Sequence, residues 1–355
     1  MTFSNRVTSI TQDVILPKNV DNFLVDNFAT FRFMGTGEAW EGTTIKQPIK
    51  ISKNTQGRSF SGLDAHNTGT VDTRVTLEYD LRAYNIPIAI PGLDKVVNRG
   101  EAAILNLIKQ ETASTFMDAM DDIGSMFYLD GTGNGSKDFL GLDALADDGT
   151  SASTIGGLSR TTYSTLNGTR TASSGTLTLL KTATLTSAVA GGSASRQQPT
   201  IYITDETTWD LCEKLMISSI VQANYDANGY PKVTRKSRGV MSGATLGGSY
   251  GFVSLIHRGI PIVKDEKATV GTLWALNENY LQWYGAQSDD LKSISLGNDV
   301  DSTYNEAPTS DSGVQWSGWK DSFNQFGEVA YLYVLGNLTT SQPRRHGRLT
   351  GITTA

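Results

Sequence analysis

Val71-Asp72-Thr73-Arg74-Val75-Thr76-Leu77-Glu78-Tyr79-Asp80-Leu81 alternates without a break. Val71, Thr73, Val75, Leu77, Tyr79 and Leu81 make one face, and Asp72, Arg74, Thr76, Glu78 and Asp80 make the other. Successive side chains of a strand point to opposite faces, so this run specifies a half-buried strand. Upstream, Ile45, Ile49 and Ile51 share a face with the same period of two. The polar, glycine-bearing stretch from Ser52 to Gly69 joins the two runs as a long hairpin. Downstream, the apolar character continues through Ile86-Pro87-Ile88-Ala89-Ile90, with the phase slipping near Ala83 as at a bulge. Read as one strand, residues 71–90 span roughly 65 Å at about 3.3 Å per residue, about three times an ordinary strand. A compact domain has little use for such a strand, whereas a flat subunit that reaches over its neighbours does.

The strongest helical pattern follows directly. Ile104, Leu107, Ile108, Phe116, Met117, Met120, Ile123 and Phe127 recur at three- and four-residue spacing, with a small drift across Glu111 and Thr112. Asn98 is placed to cap the helix, with Glu101 reaching back in a box-like arrangement. From Arg99 to Phe127 the helix spans roughly 43 Å, more than twice the average. The glycine-dense run Leu129-Asp130-Gly131-Thr132-Gly133-Asn134-Gly135 stops it.

Outward from this centre the pattern is α+β. Residues 1 to about 37 have weak periodicity and end in Phe28, Phe31 and Phe33. They read equally as an extended arm with apolar anchors or as a short helix around Val20 to Phe28 docked on the same chain. Residues 149–198, rich in Ser, Thr and Gly, read as loops with one helix near Leu177 to Ala190. A strand at Thr200 to Thr204 precedes a helix from Glu206 to Ser219, whose Trp209, Cys212, Leu215, Met216 and Ser219 share a side. Phe252 to Ile256 and Ile260 to Lys264 form a strand pair joined at Arg258-Gly259, and Leu273 to Leu276 is a further strand. Strands near 291–296, 314–323 and 326–335 and a polar tail close the chain. The sheet is expected to be mixed or mostly antiparallel.

Composition narrows the function. The chain has 355 residues, 38% hydrophobic and 19% charged, which supplies a sizeable core and argues against global disorder. Its formal charge of -6 does not suit a protein built to grip phosphates; the basic run Arg344-Arg345-His346-Gly347-Arg348 is at most a modest nucleic-acid contact. Pairing of that run with acidic groups of a neighbouring subunit is the competing reading. One cysteine, Cys212, permits no intrachain disulfide, and the first twenty residues hold no apolar stretch of signal-peptide length. The chain is expected to be made and folded in cytosol, with no membrane span.

No motif carries convincing chemistry. Gly247-Gly248-Ser249-Tyr250-Gly251 matches the G-x-S-x-G nucleophile pattern, but that elbow needs a following helix and Phe252-Val253-Ser254-Leu255-Ile256 reads as a strand. Gly131 to Lys137 has the composition of a phosphate loop, yet it follows a helix, has the wrong spacing, and is followed by Asp138. Three scattered histidines, His66, His257 and His346, and one cysteine provide no zinc site. Asp299, Asp301 and Glu306 lack calcium-loop spacing. Asp121-Asp122 and Asp289-Asp290 are adjacent pairs, read as surface charge. Cys212 lies on the apolar side of its helix and reads as core. No enzyme activity, cofactor or metal is expected.

The order of parts resembles the major capsid proteins of tailed phages, the Hong Kong 97-like fold, over nearly the whole chain. Its most specific pieces are Asp130-Gly131-Thr132-Gly133-Asn134-Gly135 with Phe139-Leu140-Gly141-Leu142 after the long helix, and Arg258-Gly259-Ile260-Pro261-Ile262-Val263-Lys264-Asp265. Ile201-Tyr202-Ile203-Thr204, Thr207-Thr208-Trp209-Asp210-Leu211, Gly271-Thr272-Leu273-Trp274-Ala275-Leu276-Asn277 and the stretch from Ser341 to Ile352 add to it. The resemblance implies an N-terminal arm at 1–38, an E-loop hairpin at 39–80, and a P-domain with the spine helix at 81–150. It further implies an A-domain at 151–294 and a return to the P-domain with a tail at 295–355. It implies hexamers and pentamers of this chain forming an icosahedral shell around double-stranded DNA, touched weakly and non-specifically on the inner face. A separate scaffold protein, or a chain already trimmed, a portal, and a virion location after assembly in the bacterial cytoplasm are implied with it. Candidate intersubunit contacts are Phe31, Phe33, Trp40, Arg58, Phe60, Arg74, Glu78, Arg344 and Arg345. An encapsulin-like compartment, a serine hydrolase using Ser249 and a secreted β-rich adhesin are the alternatives.

Overall fold

A computed structural model describes residues 28–97, 107–172, 174–192, 197–216, 222–225, 231–234, 255–286, 292–293, 313–322 and 324–353. Its helices are α1 (Phe28–Gly35), α2 (Gly92–Val97), α3 (Leu107–Phe127), α4 (Leu179–Ala190) and α5 (Glu206–Met216). Its main strands begin with β1 (Glu38–Ala39), β2 (Thr44–Lys50), β3 (Arg74–Asp80), β4 (Arg82–Pro91), β5 (Thr169–Thr171) and β6 (Ile201–Thr204). They continue with β7 (Leu255–His257), β8 (Ile260–Lys264), β9 (Leu273–Leu276), β10 (Leu281–Gly285) and β11 (Lys292–Ser293). The last are β12 (Val314–Trp316), β13 (Lys320–Asp321), β14 (Gly327–Thr340) and β15 (Gly347–Leu349).

The alternating run forms the expected hairpin. β2 and β3 pair antiparallel from Thr44↔Asp80 to Lys50↔Arg74, so Ile45 meets Tyr79 and Ile49 meets Val75 on the apolar face. The idea of one strand over 71–90 is corrected. β3 pairs with β2, whereas β4 leaves the hairpin and pairs along β14 from Arg82↔Gly336 to Pro91↔Gly327. The phase change falls at Asp80 and Leu81, both exposed, not at Ala83. Odd positions point inward up to Tyr79 and even positions from Arg82 onward. A chain that passes from one sheet to another must turn its inward face, and two outward residues in succession do this.

β14 is the axis of a seven-stranded sheet. β4 lies along one edge of it, and β13, β12 and β10 pair with it in succession along the other. The inward face of β4, with Ile86, Ile88 and Ile90, is covered by α3. The stripe of α3 is as read: Phe116, Met120, Ile123 and Phe127 are all buried, with Ala119 between them. Its expected start, with Asn98, Glu101 and Ile104, lies outside the described residues. After α3 the chain reverses through Gly131 and Gly135 at φ of 77° and 67°. A β-carbon on Gly141 would sit 2.6 Å from the Met126 carbonyl oxygen and 2.8 Å from that of Phe127. Only glycine lets this loop pass so close to the end of the helix.

The second sheet has six strands in the order β7-β8-β6-β9-β15-β5. Ile201, Ile203, Val263, Trp274 and Leu276 face the main core; Tyr202, Ile262, Leu273 and Leu349 face a smaller one with Leu185 and Val189 of α4 and Cys212 of α5. Both faces are covered, which accounts for strands that read as continuous apolar runs. The β7–β8 turn has Arg258 and Gly259 at φ of 55° and 84°. Two positive values fit the tight hairpin turn whose twist matches the strands.

Several expectations are revised. The aromatic end of the arm is helix α1, and residues 1–27 lie outside the described set. β10 was not expected. Sheet membership also places the return to the first sheet between Leu276 and Leu281, not at 295. The polar tail is folded structure: β14 runs on to Thr340, and β15 enters the second sheet between β9 and β5.

Candidate assembly surface and the residues that hold it

The hairpin changes character along its length. At its root, Leu77 and Tyr79 are buried. The Glu78 amide donates to the Gly156 carbonyl at 3.0 Å, and a β-carbon on Gly156 would lie 2.8 Å from that of Leu77. Further out, Ile45, Gln47, Ile49, Ile51, Val71, Thr73 and Val75 are only half-buried. Residues 57–70 are exposed throughout. The tip is nevertheless organised by its own bonds. Arg58 donates to the Ala65 carbonyl, Asn67 to the Gln56 side chain, and the Ser61 amide to Asp64 Oδ2 at 2.9 Å. Phe60 meets the edge of His66 at 4.8 Å. Phe60 is 63% exposed, and Leu63 is fully exposed. The structured tip thus carries two large apolar side chains outward, a candidate contact surface.

The candidate contacts divide by position. Phe60, Arg58 and Arg74 are exposed on the hairpin. Glu78 is exposed as well, and pairs across the ladder with Lys46 at 3.0 Å. That pair sits in water and adds little stability. The side chain of Phe31 is outside the described set. Phe33 is corrected: it is 4% exposed and packs edge-on to Phe127 at 6.4 Å, so the core of its own chain already uses it. Trp40 is corrected as well. It is buried, its amide donates to the Gly285 carbonyl at 2.7 Å, and its indole donates to the Gly42 carbonyl at 3.0 Å. These bonds and β1, which joins β10 as a parallel edge strand, anchor the entry to the hairpin.

In the basic tail, only Arg344 is exposed. Arg345 is buried and donates to the Val189 and Ala190 carbonyls at 3.1 and 2.8 Å. It caps the C-terminus of α4, where a cation also meets the negative end of the helix dipole. Arg348 is 2% exposed, bonds Asp147 Oδ1 at 2.8 Å, pairs with Asp143 and lies 5.1 Å over the ring of Trp274. Asp147 also accepts three backbone amides, from Gly149, Ser151 and Ala152. His346 is fully buried, with Nε2 2.9 Å from Thr340 Oγ1 and Nδ1 accepting from the Asn277 amide at 3.4 Å. Burial pushes its pKa down to about 4, so the ring is neutral at pH 7. Arg345 and Arg348 are thus already engaged within their own chain, by α4 and by Asp143 and Asp147 respectively.

Among the described residues, those weighed for catalysis are not brought together. Ser249, Asp289, Asp290, Asp299, Asp301 and Glu306 lie outside the described residues. Cys212 is buried, and desolvation pushes its thiol up to about 12, the opposite of an activated nucleophile. Asp121 pairs with Lys267 at 2.7 Å, while Asp122 accepts from the Tyr84 hydroxyl at 2.5 Å. They work apart, as neighbours on a helix must. Among the described residues, no group of three His, Cys, Asp or Glu side chains could hold a metal, and no helix is long and apolar enough to cross a membrane.

No protein-family model and no curated protein sequence matches the chain. Solved structures do. The capsid asymmetric unit of cyanophage A-1(L) is 17% identical with a TM-score of 0.73, over 99% of this chain and 100% of that one. The capsid of Myoviridae phage XM1 is 13% identical with a TM-score of 0.57, over 99% of each. The SrpI encapsulin of Synechococcus elongatus is 9% identical with a TM-score of 0.57, over 99% of this chain and 96% of that one. With a hairpin, a long helix and two sheets that match such subunits from end to end, the chain has the Hong Kong 97-like capsid fold.

Proposed function

We propose that this chain is the major capsid protein of a tailed bacteriophage, a structural subunit that builds hexamers and pentamers of an icosahedral shell around double-stranded DNA. The observation that carries the reading is the hairpin: anchored at its root, organised at its tip, and with Phe60 and Leu63 facing water. A side chain of that size is stabilised by roughly 1.5–3 kcal/mol when fully buried. In a shell every tip is supplied with a neighbour, and many such contacts act together. The full-length similarity to phage capsids supports the same reading.

In this proposal residues 1–38 are the N-terminal arm, 39–80 the E-loop, the β14 sheet with α3 the P-domain, and the β6–β9 sheet with α4 and α5 the A-domain. A scaffold protein and a portal are the expected partners, and the packaged DNA meets the inner face weakly. The virion is the expected location, after assembly in the host cytoplasm. Phe60, Arg58, Arg74 and Glu78 remain candidate contacts, with Leu63 added and Arg344 as the exposed part of the tail. Negative-stain microscopy of the purified full chain tests the proposal. Hollow spheres, tubes or rings of six are expected; a monodisperse monomer across concentration, salt and crowding conditions overturns it. Particles that copurify with an enzyme cargo and without a portal would favour a compartment over a phage head.

A further inference from the structure

β14 pairs with β4 from Gly327 to Gly336, and there the pairing stops, because β3 turns away into the hairpin. The next residue of β14 is Asn337, 2% exposed. Its side-chain Nδ2 donates to the Asp80 carbonyl at 2.8 Å, at the point where the phase of the strand changes. Its Oδ1 accepts the Leu140 amide at 2.9 Å, from the loop beyond α3, and the Leu338 amide at 3.0 Å. One buried amide therefore ties the root of the hairpin to the helix-terminal loop and to the central strand. Three residues on, the Tyr79 hydroxyl donates to the Thr340 carbonyl at 2.8 Å from the other side of the same root.

We propose that Asn337, seconded by Tyr79, is a latch that sets the angle at which the hairpin leaves the body, and so acts as a positioning residue for assembly. The function of that angle rests on the shell reading; the latch itself does not. Backbone pairing holds β4 rigidly up to Arg82 and resumes between β2 and β3 at Asp80. Across the Asp80–Leu81 joint there is no ladder, and the Asn337 amide bridges it. The side chain satisfies one backbone acceptor and two backbone donors with planar, directed bonds, which is what an angular constraint needs. The lever is long. Seven ladder residues at about 3.4 Å each reach about 24 Å, so about 10° of play at the root moves the outer end by about 4 Å. The tip extends the arm further.

The test measures that angle. In the full chain, spin labels are placed at Ser61→Cys on the tip and Ser125→Cys on α3; both sites are exposed, and the native Cys212 is buried. Labelled subunits are diluted with unlabelled ones, and the tip-to-helix distance is read by pulsed dipolar spectroscopy. Asn337→Asp keeps the acceptor and loses the donor to Asp80. The expected result is a distance distribution broadened or displaced by several Å while thermal melting stays cooperative. Val263→Ala, in the second sheet, is the comparator: it lowers the melting temperature and should leave the distribution as in the parent. If Asn337→Asp does not fold, Tyr79→Phe carries the same test by removing the second bond. A parental distribution in the latch variant, or equal broadening in Val263→Ala, overturns the latch. A parent chain that never assembles yet shows a narrow distribution sinks the shell reading and leaves the latch standing.

Discussion

Replacing Leu63 with serine separates what the hairpin tip does for the subunit from what it does between subunits. Leu63 is fully exposed, so the folded subunit has no contact to lose, and its unfolding free energy should move by no more than about 0.5 kcal/mol. If the tip is buried against a neighbour, the substitution removes roughly 1.5–3 kcal/mol of transfer free energy per subunit. At about 1.4 kcal/mol per decade, this weakens each contact about 10- to 150-fold. Every subunit contributes a tip, so the loss appears as a rise in the critical concentration for assembly of at least about tenfold. Light scattering against protein concentration, with urea unfolding of the unassembled subunit alongside, measures both quantities. A critical concentration within a factor of two of the parent would refute the reasoning. So would a subunit that has lost a kilocalorie or more, because the tip would then be packed at home. Phe60→Ser should act in the same direction and add to Leu63→Ser only in part, since neighbouring residues at one contact are not independent.

Three further outcomes follow from the buried parts of the chain. Arg348→Met takes the nearer cation from buried Asp147 and leaves only Arg170 at 4.0 Å; breaking a buried pair costs about 3–5 kcal/mol, read by urea unfolding, and adding Asp147→Asn should recover part of the loss. His346 has a folded pKa of about 4 against about 6.5 unfolded, so the unfolded chain binds the proton more readily. Its stabilisation is fully present above pH 6.5 and is lost as the pH falls toward 4. The loss amounts to about 3 kcal/mol, and His346→Gln should flatten the stability slope over that window. Gly141→Ala places a methyl against the backbone carbonyls that end α3, with no side chain able to yield, and should cost about 3 kcal/mol or more, seen as loss of soluble protein.

What the sequence made legible was local. The hairpin, the stripe of α3 and the turn at Arg258-Gly259 each rest on residues a few positions apart, and each is found close to where the pattern placed it. What stayed hidden was non-local. Arg348 looks like a surface charge until Asp147, 201 residues upstream, is brought beside it. Arg345 looks like a tail residue until α4 ends against it. β10 is a five-residue run beside a loop-like stretch, and it becomes a strand through the partner that β14 offers. Phe33 and Trp40 are candidate contacts in the sequence, and large apolar side chains do need cover. The cover is Phe127 in one case and the edge of β10 in the other. The tip is the complement: Phe60 is legible as apolar, but its pattern does not show that, beyond the edge of His66, it stays 63% exposed.

The place of β15 in the second sheet sets an order of events during synthesis. β5 has its partner in β15, so residues 169–171 wait for residues 347–349 before their ladder can close. At about 5–20 residues per second, translation of the intervening chain takes on the order of ten to thirty seconds. Until then β9 also lacks the strand on its outer side, and the buried acid Asp147 has Arg170 at 4.0 Å but lacks the nearer Arg348. A nascent subunit held on the ribosome therefore cannot finish the half of the molecule built on that sheet. Completion falls after translation has passed residue 349.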